Sequence, residues 1–63
     1  MKKKYNESDI IKGFQYYEKR TLVTIDYISG NIAMTISSKS SRPHLIVNIV
    51  HGLNNGIFKE VKN

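Results

Sequence analysis

The chain has 63 residues, ten Lys+Arg against five Asp+Glu, a formal charge of +5 and no cysteine. A chain this short buries only about 60% of its unfolded surface and builds one small core, so a single small domain is expected. The missing cysteines remove disulfides and most structural zinc sites, which leaves close packing or self-association as the means of stabilisation.

The charge and a pI near 9.7 favour acidic partners, either nucleic acid or an acidic protein surface. Lys2, Lys3 and Lys4 resemble the start of a signal peptide, but polar Tyr5–Asp9 follows in place of an apolar core, so no leader is expected. No run of apolar residues reaches membrane-spanning length. A cytoplasmic location follows as the expectation. Richness in Ile, Lys and Asn, whose codons are A/T-rich, points to a low-GC genome such as a virus or plasmid.

In chain order, residues 1–5 form a basic arm. Asn6 is a candidate N-cap with Asp9 as its capping-box partner. Ile10, Ile11, Phe14 and Tyr17 make an apolar stripe at helical spacing. Acidic residues open the segment and Lys19 and Arg20 close it, as the helix dipole favours, so a helix is expected over 7–19. An extra strand over 13–19 is the rival reading, because Phe14, Tyr16 and Tyr17 are good strand formers.

Strands are expected over 21–28 and 31–37, joined at Ser29-Gly30-Asn31, where glycine supplies a positive φ. Val23, Ile25, Tyr27, Ile32, Met34 and Ile36 are the expected inward set. Ser37–Pro43 reads as a polar loop closed by proline, and a third strand is expected over 44–53, starting after Pro43 because proline is poor inside a strand. Leu45–Val50 is apolar on both faces as a strand, so Ile46, Asn48 and Val50 are a candidate interface to a second subunit. Gly52 is assigned a bulge. Asn55-Gly56 is a hairpin signal, leading to an edge strand over 57–61. The expected fold is α+β: an N-terminal helix on a four-stranded antiparallel meander.

No motif carries catalysis, a cofactor or a metal. His44 and His51 stand seven apart on the expected strand and face opposite ways. The acids are scattered, and the glycines match neither the dinucleotide nor the P-loop pattern. No enzyme activity and no cofactor are expected. What remains is basic. Lys2–Lys4, Lys12, Lys19, Arg20, Lys39 and Arg42 are candidate phosphate contacts, with Tyr16 a candidate base-stacking residue beside them. The expected function is therefore a small nucleic-acid-binding regulatory module, with a protein-interaction module, a homodimer or an inhibitor, as the alternative.

Overall fold

The computed structural model describes residues 4–61. It is an α+β fold in which one helix lies on a five-stranded antiparallel sheet. The strands are β1 (Gln15–Glu18), β2 (Thr21–Ser29), β3 (Ile32–Ser37), β4 (Ser41–Leu45) and β5 (Phe58–Glu60), with α1 (Ile46–Asn54) between the last two. Their spatial order is β4-β3-β2-β1-β5, so the chain runs as a meander and then returns to pair its last strand with its first. Among the described residues, no helix is long and apolar enough to cross a membrane.

The expected N-terminal helix is replaced by a single 3-10 turn, Glu7–Asp9, and by β1. Its start signal is real: the Asn6 N–H donates to the Asp9 carboxylate at 2.8 Å, and the Asp9 N–H donates to the Asn6 carbonyl at 3.0 Å. The turn stops at Ile10, which is already extended at φ −90° and ψ 99°, and Gly13 follows at φ 90° in a turn closed by the Phe14 N–H on the Ile11 carbonyl. That conformation is open to glycine and foreign to a helix. Beyond it the strand preferences of Tyr16 and Tyr17 prevail. Gly13 N–H donates to the Ile25 carbonyl and Ile25 N–H to the Phe14 carbonyl, each at 2.9 Å, which carries the β1–β2 ladder back to the turn.

The β2–β3 hairpin matches expectation, with Gly30 at φ 60° in its turn. Its inward set does not. The register shifts between Ile25 and Tyr27, and a one-residue insertion changes which side chains share a face. Val23 and Ile25 face the helix with Ala33 and Thr35, all buried. Ile32, Ile36 and Tyr27 lie on the other face, 39–48% exposed.

The second correction concerns residues 44–53. They form the end of β4 and then a helix. Ile46, Ile49 and Leu53 are buried and Val50 is half-buried, the i, i+3, i+4, i+7 stripe of a helix. Pro43 sits within β4, which its edge position permits. The first helical N–H, from Ile46, donates to the Asn31 carbonyl of the hairpin turn at 2.9 Å. That bond ties the helix start to the sheet without a capping side chain.

Asn55-Gly56 ends this helix and does not make a hairpin. Ile57 N–H donates to the Gly52 carbonyl at 2.9 Å and Gly56 N–H to the Leu53 carbonyl at 3.3 Å. With Gly56 at φ 78°, this is a Schellman stop. Gly52 is no bulge either. It is the place where α1 approaches β5, and a Cβ there would overlap the ring of Phe58.

The core consists of Ile10, Tyr16, Val23, Ile25, Ala33, Ile46, Ile49 and Leu53, with Tyr5, Phe14, Val50 and Phe58 packed at its margin. The segment before the first turn is clasped on. Tyr5 N–H donates to Asn54 Oδ1 at 2.7 Å, Asn54 Nδ2 donates back to the Tyr5 carbonyl at 3.1 Å, and the Tyr5 hydroxyl donates to Glu60 at 2.9 Å.

Two outcomes test this packing. Gly52→Ala forces the Phe58 ring to move and should destabilise by about 1–3 kcal/mol. Gly56→Ala has open space around the new methyl and should cost only about 1 kcal/mol for its left-handed φ; chemical denaturation ranks the two. Burial, with Glu18 nearby, pushes the Tyr16 hydroxyl up to about 12. A raised pKa means that the folded state holds the proton more tightly than the unfolded chain. This contribution is therefore complete below pH 10 and is lost as the pH rises through 12. Unfolding free energy should fall by on the order of 2 kcal/mol over that window, and Tyr16→Phe should remove that part of the fall.

Candidate functional site

The helix crosses the sheet from β4 to β5, the two edges. Its first turn sits at the end marked by the β2–β3 turn, to which Ile46 is bonded, and its last turn reaches Phe58, which pairs with Glu18. The opposite end of the same face carries the β1–β2 turn and the β3–β4 loop, and there the sheet lies open as a cleft of about 310 Å³. Its floor follows from the register. Glu18 pairs with Thr21, Val23 with Ser37, Thr35 with Arg42, and Ala33 with His44, so these side chains share the helix-side face. Thr21, Val23, Thr35, Ser37, Arg42 and His44 line the floor, while Lys19, Lys39 and Ser40 form the rim.

Local chemistry shapes both rims. Lys19-Arg20 is a two-residue hairpin turn between Glu18 and Thr21. Lys19 takes φ 57° in it, the one positive φ among the described non-glycine residues. On the other side, Ser37 ties down the β3–β4 loop. Its N–H donates to the Ser40 carbonyl at 2.9 Å, its hydroxyl donates to the same oxygen at 3.2 Å, and that hydroxyl accepts from the Lys39 and Ser40 amides at 3.3 Å. Thr35 is buried with its hydroxyl donating to the Arg42 carbonyl at 2.8 Å, which holds β4 and its arginine in place.

The lining therefore brings three permanent cations, one carboxylate, one imidazole and several hydroxyls to a single concavity. Two lysines and a guanidinium converging on hydroxyl-lined space suit an oxyanion. Glu18 is the opposing charge.

Of the basic residues singled out by sequence, Lys19, Lys39 and Arg42 meet here. Lys4, Lys12 and Arg20 are exposed elsewhere on the surface, and Lys2 and Lys3 lie outside the described residues. Tyr16 is corrected outright as a stacking residue: it is 1% exposed and in the core, against Phe58 at a ring distance of 4.9 Å. Ile46 and Val50 are likewise core-facing, and Asn48 is exposed on another side of the helix, so these three residues make no common surface. His44, Thr21 and Thr35 were not found by sequence reasoning; the alternation of β4 with Pro43 placed inside the strand would have paired His44 and Arg42 on one face.

Comparison with protein-family models, with curated proteins and with solved structures gives no match.

The turn conformation of Lys19 yields a separable test. Lys19→Gly relieves a left-handed φ that costs a side-chain-bearing residue about 1 kcal/mol, so the variant should unfold at equal or higher denaturant concentration. It should also bind anions more weakly. A residue whose replacement stabilises the fold while weakening binding is held for its charge.

Proposed function

We propose that this chain is a small non-enzymatic nucleic-acid-binding module that grips the phosphate backbone in the cleft between the β1–β2 turn and the β3–β4 loop. The observation that carries the reading is the convergence of Lys19, Lys39 and Arg42 on one hydroxyl-lined concavity. Arg42 makes paired donations to phosphate oxygens. Lys19 and Lys39 add point charges from opposite rims, and Ser40 and Thr21 offer further polar contacts. The cleft lacks a Phe, Tyr or Trp in its lining, so the contacts position the backbone and read sequence only modestly. A cavity of about 310 Å³ takes the backbone of one strand at a time, and a flexible single strand follows its floor more readily than a stiff duplex.

Fluorescence anisotropy with a labelled single-stranded oligonucleotide across a salt series tests this. Three phosphate contacts give a slope of about −2 in log K against log salt, at roughly −0.7 per contact. Arg42→Ala, Lys39→Ala and Lys19→Ala should each make the slope shallower by about one contact, while Lys59→Ala should leave it unchanged. Glu18→Gln removes the opposing charge and should tighten binding by about two- to threefold, the size of a partly screened surface charge effect. No binding at about 50 mM salt, where phosphate contacts are strong, overturns the proposal.

A further inference from the structure

The face of the sheet turned away from the helix has no cover within the described chain. Tyr17, Leu22, Tyr27, Ile32, Ile36 and Leu45 lie on it, each 39–48% exposed. Its paired positions carry a single charge, Lys59 on edge strand β5. A shallow groove of about 230 Å³ runs through it between Leu22, Thr24 and Ile36.

We infer that this face docks a second copy of the chain, sheet against sheet, to form a two-fold symmetric dimer. Four features select that occupant. A nucleic-acid backbone finds a single cation among the paired positions of this face, Lys59 at its margin. Two copies that each carry +5 repel wherever their basic residues approach, and they meet with least repulsion across an uncharged surface. Two sheets of identical twist stack with their inner side chains interdigitated, as in a β-sandwich, and a two-fold axis needs only one self-complementary patch. Pairing of sheet edges is blocked, because β4 contains Pro43 and β5 has only three residues, so stacking is the route left.

Area sets the strength. Five strands about 4.8 Å apart, each about five residues long at 3.4 Å, present roughly 400 Å² in plan. Side-chain relief brings this toward, but not above, the ~800 Å² per partner of a standard interface. A face below the standard size fits a weak, transient dimer.

Sedimentation velocity of the full chain from about 1 to 500 μM, a range that brackets a micromolar equilibrium, should show the mass rise from one chain to two. Ile36→Lys and Leu22→Lys place a charge in the groove on this face and should weaken the dimer at least about tenfold. Val47→Lys, at an exposed apolar position on the helix, should leave it intact. Circular dichroism checks that each variant keeps its sheet. The cleft lies on the opposite face, so oligonucleotide binding per chain should be unchanged in Ile36→Lys, which separates this inference from the proposed function. A wild-type chain that stays monomeric throughout, or a dimer abolished by Val47→Lys and indifferent to Ile36→Lys, overturns the inference.

Discussion

One constraint governs this molecule: nine helical residues must close a face of a five-stranded sheet. At 1.5 Å per residue the helix is about 13 Å long, while four strand intervals span about 19 Å. The helix settles closely against the Phe58 ring because Gly52 has no side chain there, and fully buried Ala33 belongs to the same core. It covers part of one face. The uncovered part becomes the cleft, and the second face is left bare. The two open surfaces are consequences of one small helix.

The cleft owes its polarity to the same arrangement. Positions under the helix are Ile25, Ala33 and Tyr16, all buried. Beside them on the same face stand Thr35 opposite Ile25, His44 opposite Ala33 and Ser37 opposite Val23, with Thr21 and Arg42 completing the polar set. The polar residues are also tied into the backbone, through the Thr35 and Ser37 hydroxyls, so the cations are mounted on ordered elements.

Sequence reasoning reached the central hairpin because period-two alternation and a glycine turn agree there. It failed at two places where signals conflict. In Ile46–Leu53 the β-branched residues argue for a strand, while Ile46, Ile49, Val50 and Leu53 recur at helical spacing. The periodicity was the physical signal, since tertiary burial overrides intrinsic preference. In residues 7–19 a genuine capping pair argues for a long helix, while Gly13 and the strand-forming Tyr16 and Tyr17 argue against one. The inverted faces of β3 depend on the register shift beside Ile25, which leaves no mark in composition. For the site, charge was readable and convergence was not: Lys19, Lys39 and Arg42 come together only through strand pairing.

The strand order has a consequence for how the chain acquires this shape. From β1 to β4 each strand pairs with its sequence neighbour, so those contacts close short loops quickly. β5 instead joins β1, Tyr16 opposite Glu60, and Tyr5 is bound to Asn54 and Glu60. These contacts close nearly the whole chain and carry the largest loop entropy. Loop entropy therefore favours the meander's contacts early and leaves the two chain ends to lock late. The short β5 edge and the Tyr5 clasp are correspondingly less costly to release than the six paired positions of the β2–β3 ladder.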